Sequence, residues 1–134
     1  MHHLAILKKE YKLLDLILKR KKTIESRWYQ TRRTPYNNIK PGDTVFFKES
    51  GQPVSAKATV SKVLQFNLKQ TKAKDIVKKY GKHIGINYSK KQEKNYCILI
   101  FLKNPKSITP FNINKKGYGL MSAWITVNNI KELF

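Results

Sequence analysis

The sequence predicts an α+β domain built around a small, mostly antiparallel β-barrel with two or three flanking helices. Several short segments have the alternation, or the β-branched and aromatic content, that is typical of strands, and hairpin turns separate some of them. A helical period appears near the N-terminus and again in the middle of the chain. No internal repeat or linker interrupts the pattern, so residues 1–134 are expected to form a single domain.

The first part of the chain predicts a strand, a helix and a second strand. Residues 5–7 are apolar and predict a short strand. Residues 8–20 place leucine and isoleucine on one face and lysine on the other, which predicts an amphipathic helix. Residues 23–28 favour a strand because they include β-branched and aromatic side chains. A polar, basic loop is expected over residues 29–41.

Two turns then predict a β-hairpin. In Pro41-Gly42-Asp43 the proline fixes φ at the second turn position, and the glycine accepts the positive φ that follows. Residues 44–48 should form a strand, which Gly51-Gln52-Pro53 turns back into a long strand over residues 54–66. Apolar and polar residues alternate in this long strand, as in a half-buried sheet.

The next segment predicts a helix followed by the most apolar strand. Thr71 is a candidate cap for a helix with one apolar stripe, and Gly81 is expected to end it. A basic loop over residues 84–94 should lead to a central strand at residues 96–103.

The last part of the chain predicts irregular structure and a final strand. Pro105 and Pro110 are expected to bracket an irregular stretch, and residues 121–127 should form the last strand. Asn128 is a candidate cap for a short C-terminal turn. Its apolar residues are expected to point inward: Ile130, Leu133 and Phe134.

Charge is the strongest functional signal. The chain has 28 Lys and Arg residues against 8 Asp and Glu residues, a formal net charge of +20. An AT-rich genome accounts for lysine in place of arginine, but a formal net charge of +20 on 134 residues creates a strong positive field whatever its codon origin. The excess therefore favours a polyanionic partner.

Other features exclude several classes of protein. The single cysteine, Cys97, lies in an apolar run and is interpreted as a core residue in a reducing compartment. That run is the longest and has seven residues, so no membrane span is expected. No signal-peptide pattern is present, so a cytoplasmic location is expected. His2, His3 and His83 have no zinc spacing with Cys97, and we expect neither a metal nor a cofactor.

Three motifs, taken together, carry a family resemblance. Lys22, Glu25 and Arg27 fit the pattern G-x-K-x-x-E-x-R, with Arg20 in place of the glycine. The segment 39–45 (Ile-Lys-Pro-Gly-Asp-Thr-Val) and the segment 117–125 (Gly-Tyr-Gly-Leu-Met-Ser-Ala-Trp-Ile) follow in order. The chain thus resembles the ASCH family (activating-signal-cointegrator homology) of PUA-like barrels.

The resemblance implies a β-barrel with a cleft, and recognition of nucleic acid or of modified nucleosides. Arg20 departs from the family pattern. Because arginine disfavours the positive φ that glycine accepts, the first helix is expected to end differently.

The motif residues have two interpretations. On a strand, Glu25 and Arg27 point to the same face, about 6 to 7 Å apart. They form either an ion pair on a solvated face or, together with Lys22, a group at the mouth of a cleft. In the second case, nearby cations favour the ionised carboxylate, which can accept hydrogen bonds from amino or imino groups of bases such as cytosine N4. The cations would hold phosphate.

The following loop adds aromatic residues interleaved with arginines, a composition suited to stacking on unpaired bases. The lysine-rich segment 69–94 is either a solvated helix face or an extension of the phosphate contacts. The complete set of candidate nucleic-acid-binding residues is Lys22, Glu25, Arg27, Arg20, Arg32, Arg33, Tyr29 and Tyr36.

The leading functional hypothesis is a nucleic-acid-binding module, with RNA or another single strand, or a nucleotide, as its partner. The alternative is a hydrolase acting on RNA or on a modified nucleoside, with Lys22 and Glu25 as its catalytic residues. Some small bacterial ASCH members hydrolyse acylated cytidine and carry threonine three positions after the lysine, where this chain has Glu25. A basic protein–protein adaptor has no motif in its favour, and the oligomeric state is left open.

Overall fold

Six strands form one mixed sheet in the computed structural model, which describes residues 1–87, 89, 93–115, 117–119 and 122–134. The strands are β1 (His2–Leu7), β2 (Ile24–Tyr29), β3 (Thr44–Glu49), β4 (Val54–Asn67), β5 (Tyr96–Phe111) and β6 (Trp124–Val127). Their order is β2-β5-β4-β3-β1-β6, and every pairing is antiparallel except the parallel one between β1 and β3.

The sheet curls so that its two edges approach each other. Arg27 on the edge strand β2 donates hydrogen bonds to the carbonyls of Ala123, just before the other edge strand, and of Ile6 on its neighbour β1. The result is a half-barrel with helices beside it, and the predicted class of an α+β, mostly antiparallel barrel is confirmed.

Both predicted helices form with different bounds. The first is shorter: a 3₁₀ turn (Lys9–Tyr11) and helix α1 (Leu13–Leu18) are separated by Lys12, whose φ of 51° breaks the helix. Helix α2 runs over Ala73–Ile84, with Lys72 rather than Thr71 at its N-cap. It continues through Gly81 and ends at Gly85, whose φ is 83°. The predicted cap and the predicted stop were therefore both wrong.

The predicted end of β5 was also wrong, because the strand continues to Phe111 through both prolines. The β4–β5 ladder absorbs the prolines at register shifts, and Asn104 adopts a φ of 52° beside Pro105. The last strand begins at Trp124, and residue 121, where it was predicted to start, lies outside the described residues.

A 3₁₀ turn closes the C-terminus over Ile130–Leu133. Its cap is Asn129, in a capping box with Glu132, rather than Asn128. Ile130 and Leu133 are buried as predicted, whereas Phe134 is 65% exposed and does not point inward.

The sheet has apolar clusters on both faces, and β5 contributes to two of them. Ile98 and Ile100 face the interior of the half-barrel, whereas Cys97 and Leu99 pack beneath α2. Burial raises the pKa of the Cys97 thiol. None of the described helices is long and apolar enough to cross a membrane.

The register between β2 and β5 places the motif residues inside the half-barrel. Glu25 lies opposite Ile100 and Arg27 opposite Ile98, so both charged residues share the interior face. Ile24, one position earlier, belongs to the cluster beneath α2. The predicted division of this strand into two faces is confirmed.

The turn between α1 and β2 places Arg20 in the left-handed conformation that glycine accepts most readily. Arg20 has a φ of 59°, so the prediction that arginine would change the end of the helix was wrong. The backbone amides of Lys21 and Lys22 donate to the carbonyl of Leu16 and hold this turn in place.

We therefore expect Arg20→Gly to stabilise the protein. The left-handed conformation costs a residue with a Cβ about 1–2 kcal/mol, and the extra chain entropy of glycine offsets about 0.5–1 kcal/mol of that gain. Urea unfolding should show a net increase of about 0.5 kcal/mol. The neighbouring Lys21→Gly, at a residue without positive φ, is the control and should lower the stability. A loss of equal size in both variants would contradict the expectation.

Candidate functional site

A cleft of about 590 Å³ lies between β2, the residues that follow β1 and the segment that leaves α2. Its volume falls in the range of about 300–1,000 Å³ that is typical of small-molecule sites. Apolar and aromatic side chains form a large part of its wall: Ile6, Leu7, Tyr11, Leu13, Trp28, Tyr29 and Ile86. The charged residues Lys8, Lys22, Glu25 and Arg27 also line it. The motif thus lies in a concave site.

Lys22 is a buried structural cation. Its side chain is 2% exposed, and Nζ donates to the carbonyls of Ile24 and Ile84, each at 2.7 Å. Burial lowers the pKa of Lys22, the Glu25 carboxylate acts in the opposite direction, and Arg27 lowers it further. Because Ile84 ends α2, where the helix dipole is negative, Lys22 ties that helix to the start of β2.

Glu25 has one carboxylate oxygen near two cations and one without a partner. Oε1 lies 3.8 Å from Lys22 Nζ and 3.8 Å from Arg27 Nε, distances that make ion pairs but not hydrogen bonds. Among the described residues, Glu25 Oε2 and Arg27 Nε are the buried side-chain polar atoms that lack a hydrogen bond. The cleft lining therefore contains a buried acceptor and a buried donor, on neighbouring side chains, that both lack a hydrogen bond.

Arg27 is held in place from two sides. Its terminal nitrogens donate to the carbonyls of Ala123 at 3.3 Å and Ile6 at 3.4 Å. Its guanidinium lies 5.1 Å from the centre of the Trp124 ring, within the range of a cation–π contact. These contacts fix the direction of the free Nε.

A buried histidine supports Trp124 in turn. Trp124 Nε1 donates to His3 Nδ1 at 3.2 Å, so the Nε2–H of His3 donates to Asp43 at 2.9 Å. Burial lowers the pKa of His3, although the hydrogen bond to Asp43 opposes that shift. Burial raises the pKa of Asp43, but the hydrogen bonds from His3 and from the Lys40 amide outweigh it and lower the pKa overall.

Sequence reasoning did not identify this support. The sequence pattern gives His3 no zinc spacing and places Asp43 in a turn, and it does not relate the two residues to each other. The contact between His3 and Trp124 depends on the pairing of β1 with β6, which places His3 opposite Thr126, and no local pattern reports such a pairing.

Four of the eight predicted residues line the cleft: Lys22, Glu25, Arg27 and Tyr29. The hydroxyl of Tyr29 donates to the carbonyl of Thr34, and burial raises its pKa. Arg33 is exposed, with its guanidinium 5.5 Å from the centre of the Tyr29 ring, and therefore lies next to a residue of the cleft wall.

The other three predicted residues lie elsewhere. Arg32 is exposed over the ring of Tyr96, and Tyr36 is half-buried with its ring edge against the same tyrosine. Arg20 lines a separate hollow of about 80 Å³. In the lysine-rich segment 69–94, residues 88 and 90–92 lie outside the described residues, as do residues 120 and 121 of the third motif.

The described residues contain no group of three or more His, Cys, Asp or Glu side chains placed to hold a metal ion.

Comparisons with solved structures identify the fold. The chain is similar to the ASCH protein of Zymomonas mobilis, with a TM-score of 0.70, 15% identity and coverage of 98% of this chain and 90% of that one. A point variant of that protein gives a TM-score of 0.67 at 16% identity, covering 98% and 93%. A hypothetical protein gives 0.52 at 25% identity, covering 81% and 100%.

The chain therefore has an ASCH fold, and the resemblance seen in the sequence is confirmed at the level of the fold. Neither family models nor curated proteins give a match to the sequence.

We expect Lys22→Met to destabilise the protein strongly. It removes the donor for two carbonyls and leaves Glu25 buried beside one cation instead of two. Breaking a buried pair costs about 3–5 kcal/mol, measurable by urea unfolding. Lys21→Met, at an exposed position, should change the stability by less than about 0.5 kcal/mol. Equal effects of the two changes would show that the buried bonds contribute little.

His3 should make the stability depend on pH. Because its pKa is lowered by folding, the unfolded state binds more protons below pH about 6.5. The free energy of unfolding should therefore decrease as the pH falls from 7 to 5, by up to about 1.4 kcal/mol for each unit of pKa shift. His3→Asn should be less stable at pH 7 and should show a shallower decrease. Parallel curves for the two proteins would exclude this role of His3.

Proposed function

We propose that the protein binds single-stranded nucleic acid, RNA in the first place, by taking one unpaired base into the cleft. Glu25 then accepts a hydrogen bond from an amino or imino group of that base. The observation that carries the proposal is the buried Glu25 Oε2, which has no hydrogen-bond partner in a cleft of about 590 Å³. A buried acceptor without a partner costs about 1–3 kcal/mol, and a ligand that donates to it relieves this cost.

The arrangement of donor and acceptor matches the edge of a base. Arg27 Nε is unpaired beside the carboxylate, and bases present N–H groups next to acceptors, as cytosine does with its N4 amino group and N3. The apolar and aromatic wall, which includes Trp28 and Tyr29, suits a flat ring. Recognition of a base therefore accounts for both the polar and the apolar lining of the cleft.

Charge supplies the sequence-independent part of the proposed binding. The net charge of +20 attracts phosphate, and the exposed Arg33 lies next to Tyr29 of the cleft wall. Arg32 is proposed to attract phosphate at the surface in the same way. Arg20 and Tyr36 are proposed to contact parts of the nucleic acid that lie outside the cleft. Lys22 is proposed to position Glu25 rather than to contact phosphate, because carbonyls take two of its three N–H groups. The preference for RNA rests on the ASCH resemblance.

A hydrolase acting on RNA or on an acylated nucleoside is the second candidate, since an unpaired carboxylate oxygen can also act as a base on water. The bonds from Lys22 Nζ to two carbonyls favour its ammonium form, which has no lone pair for attack. Release of acetate from N4-acetylcytidine, or cleavage of RNA, that is lost in Glu25→Gln would establish this candidate.

The proposal predicts selective loss of binding in Glu25→Gln. Fluorescence anisotropy with a labelled cytidine octamer should show affinity weaker by about 5- to 150-fold, the equivalent of about 1–3 kcal/mol for one lost base contact. The matched control is Glu10→Gln, which removes the same charge from an exposed turn and should leave the affinity unchanged. Thermal unfolding of both variants checks that they are folded.

A change in the ligand tests the same contact without altering the protein. An octamer of N4,N4-dimethylcytidine has no amino hydrogens and should bind the wild type more weakly. Neutralisation of about six phosphates should also give a log–log salt slope near −4. Affinity that is equal for both octamers, or that does not change with salt, would overturn the proposal.

A further inference from the structure

A second groove, of about 630 Å³, lies along helix α2. Val77 and Gly81 of the helix and residues 85–87 of the following segment form part of its lining. Three lysines of α2 line it as well: Lys74, Lys78 and Lys82. The lining thus combines apolar side chains and backbone atoms with three cationic side chains.

The groove and the cleft share a border. Gly85, Ile86 and Asn87 line both of them, so one begins where the other ends. This border is firmly held, because the amides of Gly85 and Ile86 both donate to the carbonyl of Gly81, at 2.8 and 3.1 Å. A Cβ at Gly81 would lie 2.9 Å from the carbonyl oxygen of Ile86, so the close approach of the border to α2 requires glycine at that position.

The three lysines of the groove form no ion pair within the described part of the chain. They are spaced four residues apart and therefore form one row, with a rise of about 6 Å per step. All three are exposed. Like charges at this spacing destabilise a helix slightly, so the row has a cost that the fold itself does not explain.

The chemistry of the groove selects a polyanion over a membrane surface. A helix that binds lipid turns its apolar face outward. The apolar face of α2 is buried against the sheet, through Ile76 and Ile84 in particular. The accessible face of α2 is polar and contains Asp75, Lys79 and His83 besides the lysine row. The row itself matches a chain of evenly spaced negative charges.

We infer that this groove binds the phosphates of the same strand whose base occupies the cleft. The inference rests on the proposed function and narrows it, because the ligand is then a polymer that crosses the border at residues 85–87 rather than a free nucleoside. Each lysine of the row contacts about one phosphate. The cleft selects the base, and the groove binds the phosphates of the nucleotides that follow that base in the strand.

The test compares two ligands and two triple variants. In the groove variant, Lys74, Lys78 and Lys82 are all changed to Gln. In the control variant, Lys57, Lys106 and Lys131, which line neither cavity, are changed to Gln with the same loss of charge. The ligands are the labelled cytidine octamer and cytidine 5′-monophosphate, with binding measured over a range of salt concentrations.

We expect the groove variant to bind the octamer about tenfold or more weakly than the wild type, and its salt slope to be shallower by about 2, from three lost contacts of about 0.7 each. Its affinity for cytidine 5′-monophosphate should be unchanged. The control variant should lose less affinity for the octamer and keep a steeper slope.

Equal losses in the two triple variants would overturn the inference, because the row would then act only through net charge. Equal wild-type affinities for the octamer and the monophosphate would overturn it as well. Failure of the proposed function has a different signature: Glu25→Gln would bind the octamer normally while the groove variant still lost affinity.

Discussion

Burial of charge where the half-barrel closes is the constraint on which the rest of the structure depends. Glu25 and Arg27 face the apolar interior opposite Ile100 and Ile98. Removing ions from water costs several kcal/mol for each ion, and attraction between them compensates only when further hydrogen bonds are made. Here backbone carbonyls provide those bonds for Arg27 and for Lys22, whereas Glu25 Oε2 has none.

The carbonyls that accept hydrogen bonds from Lys22 and Arg27 belong to four parts of the chain. Lys22 bonds to β2 and to the end of α2, and Arg27 bonds to β1 and to the residue before β6. Behind Arg27, Trp124 is held by His3 and Asp43. The candidate site and the closure of the sheet are therefore one set of contacts, and the unpaired atoms keep a fixed direction before any ligand arrives.

Local periodicity in the sequence made part of the candidate site predictable. A strand alternates its faces strictly, so the shared face of Glu25 and Arg27 followed from their spacing alone. The burial of Lys22 did not, because it depends on the carbonyl of Ile84, 62 residues away. The path of β5 through Pro105 also escaped prediction, since its partner strand supplies the register shifts that accommodate a proline. Arg20 shows a tertiary turn overriding a local preference for negative φ.

In the proposed complex, the unpaired carboxylate oxygen in the cleft and the cations outside it would together orient a nucleotide. Inside the cleft, Lys22 and Arg27 already donate to backbone carbonyls and lie beside Glu25, whereas Glu25 Oε2 has no hydrogen-bond partner and can accept from an N–H group of an uncharged base. The cations outside the cleft, Arg33 and the row on α2, attract phosphate. Net charge alone would bind any polyanion in any orientation. The unpaired oxygen of Glu25 adds a contact that a base with an N–H group can make and that a phosphodiester, which has only acceptors, cannot make.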